Sequence, residues 1–482
     1  MLLKIGFRSA PMQPPLLRVG KGVVEGARGD SAGLFWSFDA PGLAPATPYE
    51  LQILDAKRKP LSDVWTLKTF PDPSEPVRSL RLLIYTCAGG HEVSSHPDGR
   101  KVFLSLERRR RMLDRALSFE PNALIANGDH VYWDLRTITA QTLGASPEGI
   151  AYAGQFVRTL PVFGTENEGV LLRAAGPQIA MLYETRFRSV PVFFITDDHD
   201  HYDDDRADDH FVSFPPDAFM LRLARATRRL YFPEFLPDAN RPAGLAGSSA
   251  PDTPPGVAEC YGTLRYGSLA ELLLYDCRRY MTLAGPSAVF VPPETEQWIT
   301  TRMAARGVRH VVNVPSLPIG WSAGKWGDWY PDVIGEDGRL GTSRPKPYWQ
   351  EGWGRQHSRL LAAASAMRER VPLFLCGDLH ALGDGRIHRA GENDLSRNPV
   401  TALLTGPIST LTGWPSAARG TPPLPPARLE MDERLKATEQ NGFTIVDFTP
   451  DKITARLFRW TPVEPDEAID RMEPFYTAEF VR

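Results

Sequence analysis

Four apolar runs in this chain each end on side chains able to hold a metal ion. Leu82-Leu83-Ile84-Tyr85-Thr86 leads to Cys87, and Ala123-Leu124-Ile125-Ala126-Asn127-Gly128 leads to Asp129. Val192-Phe193-Phe194-Ile195-Thr196 leads to Asp197-Asp198-His199-Asp200-His201, and Leu373-Phe374-Leu375-Cys376-Gly377 leads to Asp378-Leu379-His380. One Gly-Asp pair after a strand is an ordinary turn. Four endings of this kind form a pattern, because α/β sheets place ligands at the carboxyl ends of their strands.

Such donors suit the hydrolysis of a phosphoester by water. That reaction needs a Lewis acid and a nucleophile available near neutral pH. Two metals about 3.5–4 Å apart supply both and clamp the phosphoryl oxygens. Asp129 has two carboxylate oxygens and is placed to bridge two ions. Carboxylates and the phenolate of Tyr132 suit a hard cation such as trivalent iron, and Cys87 adds a soft donor.

The elements that must position these residues alternate along the chain. Strands are expected at 80–85, 123–126, 192–195, 272–275, 310–314 and 373–376, and helices near 104–119, 177–187, 293–305 and 356–368. This is α/β grammar. Later strands at 401–404, 443–448 and 453–458 have few helices between them, so the sheets are expected to be mixed. Before residue 75 the pattern differs. Gly33–Phe38, Tyr49–Leu54 and Trp65–Phe70 alternate apolar and polar residues between Gly and Pro turns, as half-buried strands of a small sandwich do. The expected division is an N-terminal β-sandwich at 1–75 and a catalytic domain at 76–482. Irregular stretches at 236–258, 320–355 and 412–430 are long enough to be functional or mobile. The Trp residues of 320–355 are read either as a wall of the substrate pocket or as core.

Gly128-Asp129-His130-Val131-Tyr132 resembles the GDxxY motif of purple acid phosphatases and PhoD-type alkaline phosphatases. Cys87, Asp197-Asp198-His199-Asp200 and Gly377-Asp378-Leu379-His380 together resemble the PhoD pattern, in which DDH and GDxH replace the GNH and GHxH of other metallophosphatases. Tyr275-Asp276-Cys277-Arg278-Arg279-Tyr280, Glu296-Gln297-Trp298 and Gly352-Trp353 with Arg359-Leu360-Leu361 are further matches, and the likeness runs from about residue 15 to 460.

The resemblance implies a metallophosphoesterase fold: a four-layer sandwich of two mixed β-sheets flanked by helices. It implies that Cys87, Asp129, Tyr132 and His380 hold ferric iron. Asp129 would bridge to a calcium held also by Asp198 and Asp378, an oxygen-rich set of the kind calcium prefers. Manganese, zinc and magnesium are alternative occupants. His199 would face the phosphate and protonate the leaving group or stabilise the transition state, and Arg278 would clamp phosphate oxygens. Each has an ordinary alternative: Cys87 as an inert thiol, Tyr132 as a core aromatic, His199 as a structural histidine, Arg278 as an ion-pair partner of Asp276. Asp197 could orient a ligand without touching metal. The segment Asp203-Asp204-Asp205 with Asp208-Asp209-His210 departs from the family in its acidity. It is read as a solvated loop, with an extra cation site, Asp205 included, as the alternative.

Composition sets the outer bounds. The chain has 482 residues, 42% hydrophobic and 23% charged, with a net charge of −3. That balance favours neither nucleic acid nor an anionic membrane. The basic run Arg108–Arg111 is read as a solvated helix face. The four cysteines, Cys87, Cys260, Cys277 and Cys376, include no CxxC pair and describe no disulfide framework; Cys277 and Cys376 are read as buried thiols. No signal peptide and no membrane span are visible, so a cytoplasmic location is expected, or a periplasmic one if an export signal has been removed. The expected activity is hydrolysis of a small-molecule phosphate ester, with a metal-bound hydroxide as nucleophile. A phosphodiesterase or phosphotriesterase acting on lipid or xenobiotic esters is the second reading, and a non-enzymatic calcium-binding protein the third. The oligomeric state is left open.

Overall fold

The computed structural model describes residues 1–95, 99–135, 155–201, 205–207, 212–233, 261–344, 346–411, 416 and 420–481. Two large mixed sheets lie face to face. The first has the order Val192–Ile195, Ala123–Asn127, Leu80–Tyr85, Asn441–Phe448, Lys452–Trp460, Pro474–Val481. Its first three strands are parallel and its last three antiparallel. The second runs Tyr261–Tyr266, Ala270–Tyr275, His310–Pro315, Leu373–Cys376, Val400–Thr405, Leu382–Ala390, with Leu429–Thr438 paired to the last of these.

The period of two along each strand assigns its faces. Leu82 and Ile84 point inward to meet Leu272, Leu274, Val312, Val314, Leu373 and Leu375 of the second sheet. Leu83 and Tyr85 point outward onto Met112, Leu113 and Ala116 of the helix Leu106–Leu117 and onto the helix Glu166–Tyr183. On the far side, Leu273, Tyr275, Phe374 and Cys376 pack on Trp298, Ile299, Leu360 and Leu361 of the helices Pro293–Ala304 and Glu351–Ser365. The architecture is therefore helix, sheet, sheet, helix, the expected four layers. Each fully buried aliphatic side chain contributes roughly 1.5–3 kcal/mol, so both faces of both sheets are anchored.

Residues 2–68 form two small antiparallel sheets around Leu17, Val19, Trp36, Phe38, Leu51, Ile53, Trp65 and Leu67. They rest on the helical layer: Lys4 Nζ donates to the carbonyl of Arg228 at 2.9 Å, and Phe35 meets Tyr231 edge-on. Among the described residues no helix is long and apolar enough to cross a membrane.

Three expectations change. The helix expected at 177–187 starts at Glu166, capped by Thr165, and carries Pro177 in its interior; a proline that normally opens helices hid the eleven residues before it. The run Arg108–Arg111 is not a solvated face throughout. Arg109 is 1% exposed, and Arg108 and Arg111 pair with Asp466 and Asp470. Trp321, Trp329 and Trp353 are core, not pocket wall. The stretch 236–258, Cys260, and Asp203, Asp204, Asp208, Asp209 and His210 lie outside the described residues.

Candidate metal centre

The four strand ends converge on the seam between the two sheets. Cys87, Asp129 and Asp378 each stand in the left-handed backbone region, with φ of 50°, 57° and 68°. Such a turn costs an L residue about 1–2 kcal/mol. It reverses the chain at once and leaves the side chain over the strand end. Two glycines allow the crowding. A Cβ on Gly128 (φ 85°) would stand 2.7 Å from Asp197 Cβ. A Cβ on Gly377 would stand 2.7 Å from the carbonyl of Asn127. The Thr86 hydroxyl stitches the sheets, donating to Asn127 O at 2.6 Å and accepting from Asp378 N at 3.2 Å.

On one side of the cluster, Cys87 Sγ lies 3.3 Å from Asp129 Oδ2, and Tyr132 Oη donates to that same oxygen at 3.3 Å. Donor atoms of Cys87, Asp129 and His380 lie within 4.8 Å of one another. Asp129 Oδ1 and His380 Nδ1 are buried without a hydrogen-bond partner. Burial, with Asp198 beside it, raises the Asp129 carboxyl well above its ordinary range. Burial and then the Asp129 charge do the same to the Cys87 thiol and the Tyr132 phenol. Orphaned donors that will not ionise alone describe a place short of positive charge. A thiolate, phenolate, carboxylate and imidazole set fits a hard transition-metal cation there.

The other side is built from Asp197, Asp198, Asp205 and Asp378, all buried. Here Arg278 is 2% exposed and fully engaged. Its Nε donates to Asp197 Oδ1 at 3.0 Å, its Nη2 to Asp378 Oδ2 at 3.0 Å, and its Nη1 to the Gly327 carbonyl. Asp276 is not its ion-pair partner. That carboxylate caps the backbone amides of Arg278 and Arg279 and receives His201 Nε2 at 2.9 Å. Asp205 is not solvated as expected: it accepts from Gly327 N at 3.1 Å and faces Arg278 at 3.5 Å. Although burial opposes ionisation, Lys325 and Arg278 hold Asp198 well below the ordinary carboxylate range.

His199 joins the two sides. Its ligand atom lies within 4.8 Å of those of Asp129 and Asp198, and its ring packs, tilted by 39°, against Tyr132 with centroids 4.2 Å apart. Nδ1 meets Asp134 Oδ1 at 2.7 Å. Burial would strip its proton, but Asp134, Asp129 and Asp198 outweigh it and raise its pKa well above the ordinary value. Asp200, next in the motif, accepts the backbone N–H of His130 and Val131 at 2.8 and 2.9 Å and so orients the Asp129 turn. Asp134 and Lys325 escaped the sequence reading. Asp134 directly follows Tyr132-Trp133, a position that would have justified testing it. Lys325 sits in the Trp-rich loop with no motif around it.

Two solved structures share this frame. A structure of PhoD superposes with a TM-score of 0.60 at 14% identity, covering 97% of this chain and 83% of that one. The structure of purple acid phosphatase PPD1 from yellow lupin (Lupinus luteus) seeds gives a TM-score of 0.52 at 9% identity, covering 97% and 69%. A search of curated proteins by sequence gives no match. The frame is a metallophosphoesterase-like fold. The model of the PhoD-like phosphatases matches residues 110–457, and the chain belongs to that family. It is thus a phosphoester hydrolase that acts on a small-molecule ester.

Proposed function

We propose that the chain hydrolyses phosphate esters at a two-cation centre organised by Asp129. The observation that carries this reading is the convergence of Cys87, Asp129 and His380 within 4.8 Å, with Tyr132 on the same carboxylate. These four residues would hold the metal, ferric iron by the chemistry of the set and by the resemblance. A cation there supplies Lewis acidity to the phosphoryl group and an activated water as nucleophile. His199 keeps a proton for the departing alkoxide on Nε2, because Nδ1 is committed to Asp134. The second cationic position lies on the aspartate side, where the resemblance implies calcium. Arg278 acts on the substrate through Asp197 and Asp378, whose carboxylates it holds, since its three nitrogens are already spoken for.

A second reading, a diester with an apolar substituent, rests on one feature. A small cavity beside Asp198 and Arg278 is lined by Phe214, Pro216, Met220 and Met281. An apolar group on phosphorus would find contacts there. The test is a rate comparison of aryl phosphate mono-, di- and triesters with purified protein, alongside elemental analysis. Asp129→Asn is expected to abolish turnover while leaving the circular dichroism spectrum intact. A variant that still turns over would remove Asp129 from the centre.

A further inference from the structure

We infer that Asp276, with Thr196 and His201, is a positioning clasp for the reaction: it locks the turn that carries Asp197, Asp198 and His199 to the turn that carries Arg278. The inference rests on the phosphate-ester reading above. The two turns come from different sheets. Thr196 follows the strand Val192–Ile195 of the first, and Asp276 follows the strand Ala270–Tyr275 of the second. The Asp276 carboxylate bonds to both turns. Its Oδ1 receives the backbone N–H of Arg278 at 2.8 Å and of Arg279 at 3.0 Å. Its Oδ2 receives Thr196 Oγ1 at 2.5 Å and His201 Nε2 at 2.9 Å.

Asp276 is 2% exposed, and a buried charge is tolerated only when it is paired and hydrogen-bonded. Burial opposes its ionisation, but His201, Arg279 and Thr196 outweigh it and bring the carboxyl down to about 2. It is therefore a carboxylate at neutral pH, and a carboxylate only accepts. His201 must then carry a proton on Nε2, which fixes the orientation of its ring. The four groups bonded to Asp276 are two backbone amides, a hydroxyl and an imidazole, none of them a donor proposed for the metal.

Within Thr196-Asp197-Asp198-His199-Asp200-His201 the roles separate. Asp200 reaches back along the first sheet and holds the Asp129 turn through His130 N and Val131 N. Thr196 and His201 reach across to Asp276. Held from both directions, the short helical turn Asp198–His201 presents Asp198 and His199 to Asp129. On the other side of the seam, Cys277 N donates to Ser316 Oγ at 3.0 Å and steadies the second turn. That turn directs Arg278 Nε to Asp197 at 3.0 Å. Asp276 thus sets the spacing between Arg278 and the side chains that face the centre.

The experiment combines rates with amide hydrogen exchange. Wild type, Asp276→Leu, Asp276→Asn and Thr196→Val are equilibrated with excess iron and calcium. Then kcat and KM for an aryl phosphate, and exchange by mass spectrometry, are measured on each. Leucine removes all four bonds. Asparagine keeps an oxygen for the two amides and offers Nδ2–H to Thr196 and His201, whose ring can move its proton to Nδ1. Asp276→Leu is expected to lose about 10²-fold in kcat, the cost of a misplacement of about 1 Å, with KM little changed. Asp276→Asn should recover most of that loss, and Thr196→Val should fall between wild type and Asp276→Leu. Exchange should quicken in both 196–201 and 276–280 of Asp276→Leu. A carboxylate that only stabilises the fold would lower the urea midpoint and leave kcat of the folded protein unchanged. That result would overturn the inference, as would quicker exchange confined to 276–280, or an Asp276→Asn as slow as Asp276→Leu. If Asp276→Leu does not fold, Thr196→Val decides: wild-type kcat with wild-type exchange at 276–280 overturns the clasp. Variants as active as wild type would sink this inference and leave the proposed function standing. A wild type inactive on every class of aryl phosphate would sink both.

Discussion

Replacing Arg109 by Met is expected to destabilise the protein and loosen the metal centre, although Arg109 touches no metal donor. Its Nη1 donates to the carbonyls of Ala88, Gly89 and Gly90 at 3.2, 3.0 and 2.8 Å. Burial lowers its pKa to about 10, so it stays charged at neutral pH. The turn it holds follows Cys87 directly. Gly89 N donates to Asp129 O at 2.9 Å, and a Cβ on Gly89 would stand 2.4 Å from the carbonyl of His130. From the opposite side Gln178 Oε1 receives Gly90 N at 2.8 Å and Tyr132 N at 2.9 Å. Arg109 and Gln178 thus press the Cys87 turn against the Asp129–Tyr132 turn.

The magnitude follows from one nitrogen serving three carbonyls. Hydrogen bonds to a charged group contribute about 1.5–3 kcal/mol each. Nη1 carries two hydrogens, so the loss is about 3–6 kcal/mol, not three full bonds. Removing a buried charge whose Nε has no partner returns about 1–2 kcal/mol. The net destabilisation expected for Arg109→Met is about 1–5 kcal/mol, read as a shift of the urea midpoint at constant slope. A displacement of about 1 Å in the Cys87 turn is expected to cost about 10²-fold in kcat/KM. Arg109→Lys keeps the charge and one or two of the bonds, and should fall between. A solvated arginine would change stability by less than about 0.5 kcal/mol. That result, with an unchanged rate, would refute the positioning role.

The remaining predictions concern the phenol and a buried histidine. If Tyr132 binds ferric iron, the iron-loaded protein absorbs visible light by phenolate-to-iron charge transfer, and Tyr132→Phe loses the band; a colourless protein, active with another metal, would overturn the iron assignment. His357 is buried with only Tyr330 Oη on its Nε2, and burial depresses its pKa from 6.5 to about 3. Below pH 6.5 the unfolded chain takes up a proton that the folded one refuses until about pH 3. Stability present above pH 6.5 is thus lost on acidification at up to about 1.4 kcal/mol per pH unit. His357→Gln should flatten this limb in denaturation curves at pH 6, 5 and 4, and parallel slopes would count against it.

How much of this could be read from sequence depended on the kind of signal. Strands buried on both faces, such as Leu80–Tyr85 and Leu373–Cys376, are continuous apolar runs and were placed with their ends intact. The half-exposed strand Leu429–Thr438, with Glu430, Asp432 and Glu433 among its side chains, has no such run and is absent from the expected strands. Cys87, Asp129, Tyr132 and His380 were visible because each stands at or just beyond a strand end. Arg109 and Lys325 were not, because what makes them important is burial against distant carbonyls and carboxylates. One basic residue in a run of four does not announce which neighbour points inward. Arg278 was seen, but its work differs from the clamp the resemblance implied: its guanidinium orders aspartates.

The strained turns explain why the centre lies on the seam. Cys87, Asp129 and Asp198 follow three adjacent parallel strands of the first sheet, whereas Asp378 and His380 follow a strand of the second. Neither sheet can complete the donor set. Gly377, with no room for a Cβ against Asn127, lets the two strand ends touch, and Thr86 ties them by two hydrogen bonds. A cation held by Cys87, Asp129, Tyr132 and His380, as proposed, would therefore crosslink the sheets. Its binding energy would offset both the left-handed backbone at Cys87 and Asp129 and the repulsion among buried carboxylates. Metal affinity and the packing of the two sheets are then one coupled quantity. A substitution that separates the sheets at Gly377 should weaken metal binding even though Gly377 has no side chain to bind with.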